Sequence, residues 1–570
     1  MMHNSKLFTF KIFIFYFFLT AGFLNPFSRN ETHSITNKTS FRLQEFPGFQ
    51  VNVNPKYISL NQYKIDILHY YININLYPVK KTLKGDVTIV GKLLDKNLKQ
   101  IDLNFYDNFN ISKITLNGNK TKYINKGTRL TIPLKGIQPD TFKIHVVYEG
   151  RPKRMGFYGF VFAEINNTSV IYNLNEPDFA STWFPCNDIP SDKAQLDIKI
   201  TNDSSDVSAS NGKLVGITTL GARRTYYWKT IYPISTYLIG LYSSDYTVFK
   251  DKYISLNKVD TMDIDYFVFH KQLKAAKIDF KEEPEIINFF AKTFGEYPFI
   301  KAKYGIAEFL WEMGAMETQT LTGVGSIFIG GLNLFTAMYV HELAHQWFGD
   351  AVGPESWKDI WLNEGFATYG EALFSESKGG KTALQSTMMS KFQDDFTGTV
   401  YNPGNIFSTT VYDKGAWILQ MLRWEVGDST FFHIMRSYFN KFKYKNASTA
   451  DFENVCEQVS HRNLNHFFNQ WVYQGTGIIK VKYSWTTKSN QKKFLLKINL
   501  HQIQKGYNTY FFPLQIKIIF QDRSSELKTF RIDKRQKLIT FNTGKLPVHL
   551  IFDPNNWLLA EFSKMQKSNE

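Results

Sequence analysis

Val340-His341-Glu342-Leu343-Ala344-His345 sets two histidines four residues apart, with a glutamate after the first. On a helix, residues four apart share a face, so His341 and His345 can turn both imidazoles toward one metal ion. Glu342 lies about 100° round the helix from His341, close enough to reach water beside the metal rather than the metal itself. A catalytic zinc site takes three protein ligands and leaves one position open. Glu364, in Trp361-Leu362-Asn363-Glu364-Gly365-Phe366-Ala367, supplies the third. Eighteen residues separate it from His345, enough to end one helix, turn and begin another. Leu334, Ala337, Met338, Leu343, Ala344 and Phe348 predict a helix over 334–350, stopped by Gly349 with Pro354 beyond. A second helical run over 359–377 carries Glu364 in its first turns. Two core histidines beside a carboxylate, with no metal, would leave buried charge unsatisfied.

A chain of 570 residues is too long for one hydrophobic core, so three or four domains are expected. With 43% hydrophobic and 16% aromatic residues it is a globular protein rather than a disordered one. The net charge of +16 would suit an anionic partner. The lysines are scattered, however, with neither a basic block nor a recognition motif, and no nucleic-acid partner is expected. Two cysteines, Cys186 and Cys456, exclude a disulfide scaffold and a cysteine-ligated zinc site. Buried and free is the commoner state for such residues, and a single bridge between them stays open.

His3, Lys6 and Lys11 precede the apolar run 12–24. Residues 1–29 therefore read as a secretory signal or an N-terminal membrane anchor, and the location as extracytoplasmic: secreted, periplasmic, or anchored by residues 12–24. Residues 30–50 form a polar linker. Over 51–250, alternating runs such as 65–74 and 142–148 predict an antiparallel sandwich or saddle. Within it, 183–194, with two prolines and two aspartates, reads as a loop without an assigned role. Over 251–477 the pattern turns helical. Residues 282–293 are amphipathic and stop at Gly295 and Pro298. Residues 311–320 form an exposed edge, and helices return at 413–424, 429–443, 449–459 and 463–473. Thr449–Glu453 is a helix-capping run. His433, His461 and His466 have no partner at ligand spacing. After Gly475-Thr476-Gly477 the period returns to two, giving a small all-β domain over 478–570.

From about residue 60 to 480 the chain resembles the aminopeptidase N family of gluzincin zinc peptidases. The carriers are the two metal-binding segments, Gly314-Ala315-Met316-Glu317, Val411-Tyr412-Asp413-Lys414-Gly415-Ala416 and Trp183–Ala194, in the family's order. The resemblance implies a multidomain α+β protein: an N-terminal β saddle, a thermolysin-like and mainly helical catalytic domain, and a small C-terminal β sandwich. Many members add a large helical domain for which this chain leaves no room, which implies an open cleft or closure by another subunit. Thr318 stands where the family motif has asparagine.

By the resemblance, one Zn²⁺ per chain is held by His341, His345 and Glu364, Glu342 is the general base, and Tyr412 donates to the oxyanion. Glu317 reads a free amine beside Gly314, Ala315 and Met316, with Glu176 as a second candidate. Glu371, seven residues past Glu364, either accepts a hydrogen bond from a ligand histidine or stands on the helix surface. The expected function is a zinc aminopeptidase that removes N-terminal residues from peptides. The alternatives are a zinc endopeptidase of the same fold and a non-catalytic peptide-binding relative. Oligomeric state has no signature in the sequence.

Overall fold

The computed structural model describes residues 57–135, 139–156, 158–490 and 493–565. The expected signal or anchor at 1–29 and the linker at 30–50 lie outside the described residues. Among the described residues, no helix is long and apolar enough to cross a membrane.

The N-terminal part is built on an eight-stranded sheet with Ile65–Tyr77 and Thr82–Leu93 near its centre. Tyr70, Ile72, Ile74 and Leu76 alternate onto one buried face. The register shift between Ile67 and His69 is what lets Ile65 and Ile67 share the buried side with Tyr70. Most neighbours are antiparallel, but Ile65–Tyr77 runs parallel to Ala194–Asp203. A five-stranded sheet containing Tyr158–Ile165, Thr168–Leu174 and Leu241–Ser244 joins it. The 183–194 loop is almost wholly buried rather than a surface turn, because its aspartates and asparagine are bonded internally. The Asp188 carboxylate accepts from Tyr57 and Thr236, and the Asp192 carboxylate from Asn187 and the Ile67 N–H.

A third sheet begins at Tyr246–Ile254, so the change of sheet falls at Asp245. Its order runs through Thr261–Phe269, Tyr304–Phe309 and Thr322–Gly325 to the edge strand Ala315–Met316. Helices α1 (Leu273–Asp279), α2 (Glu283–Phe294), α3 (Thr336–His345), α4 (Trp361–Ser390), α5 (Gly415–Val426), α6 (Asp428–Phe442), α7 (Thr449–Ser460) and the short α8 (Asn465–Phe468) belong to this part. Helix α3 is shorter than the expected 334–350. After His345 the chain leaves the regular helical pattern, with Asp350 N–H donating to His345 C=O at 3.0 Å and Ala351 N–H to Gln346 C=O at 3.2 Å. Helix α4 breaks at Gly380, where the dihedrals leave the helical range, so its first segment ends near the expected 377 and a second runs on to Ser390. Ser448 caps α7 in a reciprocal box with Asp451, one residue before the expected capping run.

Residues 479–564 form two facing sheets. One has four strands in the order Gln536–Thr543, Lys493–Gln502, Ile479–Asn490, Ala560–Lys564. The other has three, centred on Phe512–Phe520, whose side chains alternate strictly between buried and half-buried. Cys186 and Cys456 are both buried and both free thiols.

Candidate active site

Helix α3 turns His341 and His345 to one side, and the first turn of α4 brings Glu364 against them. Glu364 Oε2 lies 3.3 Å from His341 Nε2 and 3.4 Å from His345 Nε2. The other ring nitrogens are engaged. His345 Nδ1–H donates to the Phe348 carbonyl at 3.1 Å, and His341 Nδ1 lies 2.9 Å from Glu371 Oε1. A carbonyl can only accept, so Nδ1 of His345 carries the proton and Nε2 presents its lone pair inward; the carboxylate imposes the same tautomer on His341. Gly349 makes the first of these contacts feasible. It has φ +134°, and a Cβ there would lie 3.0 Å from His345 Nδ1.

Three overlapping triads can hold a cation: His341–His345–Glu364, Glu317–Glu342–His345 and Glu176–Glu317–Glu364, each with one ligand atom per residue within 4.8 Å of the others. Four carboxylates thus face two imidazoles in a buried pocket. Burial pushes Glu342 up to about 8 against the pull of the two histidines. Burial acts the same way on Glu364, but His345 and His341 overcome it and hold the group at about 2. His341 is pushed the opposite way. Burial disfavours its charge, yet Glu364 and Glu371 raise it to about 10. The pocket therefore draws positive charge. Two imidazole nitrogens and a carboxylate oxygen, each histidine with its outer partner in place, are the donor set that zinc takes.

Glu317 closes the other side. Trp311–Thr320 does not behave as the exposed edge expected. Ala315–Met316 is an edge strand, paired with Thr322–Gly325, but Glu317, Thr318, Gln319 and Thr320 are all buried. The N-terminal part covers them, and it also delivers Glu176 from the end of Thr168–Leu174. Glu176 Oε1 and Glu317 Oε1 are buried without a hydrogen-bond partner. Burial raises both carboxyls, Glu176 most strongly, with Glu317 and Glu364 adding like charge around it.

Tyr412 sits in a π-helical turn, Thr410–Lys414, that leads into α5. Such single wide turns often mark functional positions. Its ring stacks on His341 with centroids 5.8 Å apart and planes at 13°. Burial and the four nearby carboxylates keep the phenol protonated. The turn lies close to α4 because Gly365 and Gly415 meet: a Cβ on either would fall 2.9 Å from the other's Cα.

Glu371 is tied to the ligand set rather than left on the helix surface. Its second oxygen accepts from Lys391 Nζ at 2.8 Å, a residue just past the end of α4 that sequence spacing does not single out. Gln346, next to His345, carries no such signal either. Its Oε1 accepts from Thr320 N–H at 2.8 Å and its Nε2 donates to the Glu317 carbonyl at 3.3 Å. Lys193, from the 183–194 loop, donates to the Asp350 and Ala351 carbonyls at 2.7 and 3.2 Å and so fastens the N-terminal part to the turn after α3.

The Peptidase family M1 domain matches residues 278–471, and the Peptidase M1 N-terminal domain matches 66–238. The chain is 27% identical over 381 residues to a probable aminopeptidase 2 of Sulfurisphaera tokodaii, covering 62% of this chain and 48% of that one. It is 28% identical over 386 residues to the glutamyl aminopeptidase of Rattus norvegicus, covering 62% and 40%. It thus spans about half the length of the curated relatives it matches. An M1 zinc metallopeptidase of Deinococcus radiodurans, solved as a mutant bound to a Tyr-Ser-Ala substrate, superposes with a TM-score of 0.63 at 25% identity, covering 73% of this chain and 95% of that one. The aminopeptidase A of Legionella pneumophila, solved with aspartic acid, shares the fold at a TM-score of 0.78 and 16% identity, covering 88% and 60%. With both domain matches in order around a complete set of zinc donors, the chain belongs to peptidase family M1, a family of zinc metallopeptidases.

Proposed function

We propose that this protein is a zinc aminopeptidase that removes single residues from the free N-terminus of peptides. The observation that carries the reading is the pair of buried, unpartnered carboxylate oxygens on Glu176 and Glu317 beside Glu364. A buried carboxylate without a partner is costly, and an α-ammonium group supplies what both lack. An endopeptidase would pass an amide through that position and leave the carboxylates unsatisfied.

His341, His345 and Glu364 hold one zinc ion per chain. Zinc supplies Lewis acidity, which polarises the scissile carbonyl and acidifies water beside it. Glu342 takes the proton of the attacking water and passes it to the leaving amine. Beside a bound cation its carboxyl falls from the raised value toward the range a base needs. Tyr412 donates its phenol hydrogen to the developing oxyanion, a contact worth roughly 3–4 kcal/mol in kcat. The peptide backbone adds alongside the edge strand Ala315–Met316, while Glu317 and Glu176 fix the ammonium. Residues 12–24 direct the chain to an extracytoplasmic location, as a cleaved signal or an anchor; cell fractionation with N-terminal sequencing reads this directly.

A panel of aminoacyl-coumarin substrates, with and without a zinc chelator, tests the activity. Release is expected to need zinc, to vanish in Glu342→Ala and to fall sharply in Glu317→Ala. N-acetylated substrates are expected to be inert. Equal cleavage of acetylated and free substrates would assign an endopeptidase instead. No release by a zinc-loaded protein would leave a peptide-binding relative.

A further inference from the structure

We infer that Thr320 is the positioning residue that sets Glu317 for the substrate ammonium, and that residues of the N-terminal part and the metal helix hold it there together. This rests on the aminopeptidase reading above. Among the described residues, thirteen other than glycine adopt positive φ, and of these Thr320, at +66°, is the single β-branched one. A β-branched side chain is strained there, because Cβ and its branches crowd the backbone. Leu321 N–H donates to the Thr318 carbonyl at 2.8 Å, so Thr320 is the third residue of a tight turn, the position glycine normally takes. Strain of this kind persists only where the surroundings over-determine it, and it gathers at functional sites.

The surroundings do over-determine it. All three polar atoms of the wholly buried Thr320 are bonded, each to a different element. Its N–H donates to Gln346 Oε1 at 2.8 Å, on the turn after His345. Its carbonyl accepts from Lys303 Nζ at 2.9 Å. Its hydroxyl accepts from Gly212 N–H at 2.8 Å, in the N-terminal part. Asn211 adds a bond of 2.6 Å to the neighbouring Gln319 carbonyl. Lys303 is itself deeply buried, with its ammonium over the Trp228 ring at 5.2 Å. An ammonium placed there for stability alone would be a poor choice, since burial opposes its charge.

Gln346 then closes the circuit. The same amide that holds Thr320 N–H also donates to the Glu317 carbonyl. Turning Thr320 out of its conformation would shift Gln346, and with it both the Glu317 backbone and the turn after His345. Glu317 has one oxygen with no protein partner, and its carboxylate accepts from its own backbone N–H, so the side chain moves with that backbone. Thr318 stands at the position after Glu317, and its hydroxyl bonds back to the Leu321 carbonyl, tightening the same turn.

The test uses the full-length zinc-loaded protein and compares Thr320→Val, which keeps the branch but loses the hydroxyl, with Thr320→Ser, which keeps the hydroxyl, and with Lys303→Met. KM and kcat on the best free-amine coumarin substrate are read beside the inhibition constant of the matching free amino acid and the zinc content. Thr320→Val and Lys303→Met are expected to raise KM and the inhibition constant at least about fivefold, with kcat changing less than about threefold, as for a displaced binding group. Thr320→Ser is expected to stay within about twofold of wild type. Thr320→Gly adopts positive φ freely and so folds even if the valine variant does not; lacking the hydroxyl, it too must raise KM. Wild-type KM and inhibition constants in folded, zinc-loaded Thr320→Val or Thr320→Gly overturn the inference, as does a loss confined to zinc content. If Glu317→Ala weakens binding while the Thr320 variants do not, only this inference falls. If Glu317→Ala changes nothing, the aminopeptidase reading falls and takes this one with it.

Discussion

Replacing Lys391 with methionine should weaken zinc binding although Lys391 cannot touch the metal. In the wild type its ammonium lies 2.8 Å from Glu371 Oε2, and Glu371 Oε1 lies 2.9 Å from His341 Nδ1. Both side chains of the ion pair are only 14% exposed. Burial alone would raise the Glu371 carboxyl, and Lys391 is the largest of the influences that bring it below its ordinary value. Without the ammonium, nothing holds the second Glu371 oxygen and burial opposes its charge, so the carboxylate is fixed less firmly against His341 Nδ1 and orients that ligand less well. Outer-partner changes of this kind cost about 10- to 100-fold in metal affinity, or about 1.4–2.7 kcal/mol. Methionine keeps most of the buried stem, so the fold should survive. Competition with a fluorescent zinc chelator gives the affinity, and the melting temperature with and without zinc gives an independent measure, because a ligand stabilises by mass action. A folded Lys391→Met protein that binds zinc within about twofold of wild type would refute the argument, since the whole expected shift is at least about tenfold. Glu371→Gln should weaken zinc binding at least as much, because it removes the carboxylate charge through which Lys391 acts while leaving an amide oxygen to accept from His341 Nδ1.

Gly415→Ala would place a Cβ 2.9 Å from the Gly365 Cα. Forcing α4 and α5 apart should cost about 1–3 kcal/mol of stability and lower kcat more than zinc content, because Tyr412 moves with the turn; an unchanged melting temperature would contradict it. Asp178 accepts from Trp357 Nε1 at 3.1 Å, and burial followed by Asp188 pushes its carboxyl up to about 8. In the unfolded chain this group ionises near pH ~4, so its contribution to stability is complete below that and is lost as pH rises toward ~8. Asp178→Asn should therefore flatten the fall in melting temperature across that window. Parallel curves for the two proteins would exclude this source.

Local chemistry in this chain is legible in the sequence. Histidine spacing implies the helix, alternation implies the sheets, and the separation of Glu364 from His345 leaves room for a turn between two helices. What is hidden is whatever depends on chain segments meeting. Lys391 meets Glu371 only because α4 turns at Gly380, between the two. Glu317 looks solvated in isolation and is buried because another sheet covers its strand. After His345 the ladder tightens, with Gln346 and Trp347 bonding three residues back, and then widens to five at Asp350, a local choice that apolar periodicity does not encode. The Tyr412 turn is hidden too: π-helical geometry has no sequence period of its own. Thr320 is the extreme case, since its propensities argue against the conformation that its three partners enforce.

Lys193 carries a consequence for how such a protein can be cut and recombined. Its half-buried side-chain nitrogen, on the N-terminal side, donates to three main-chain carbonyls, those of Asp350, Ala351 and Lys445. Main-chain acceptors do not change with mutation, so the fastening is insensitive to drift in the side chains around it. Yet removing the N-terminal part would strip those carbonyls of the lysine and leave the pocket without Glu176. The two parts are therefore one heritable unit. A chimera exchanging only the peptidase half with a relative must inherit a matching lysine on the other half, and a gene split at Asp245 should yield two fragments that are active only when combined.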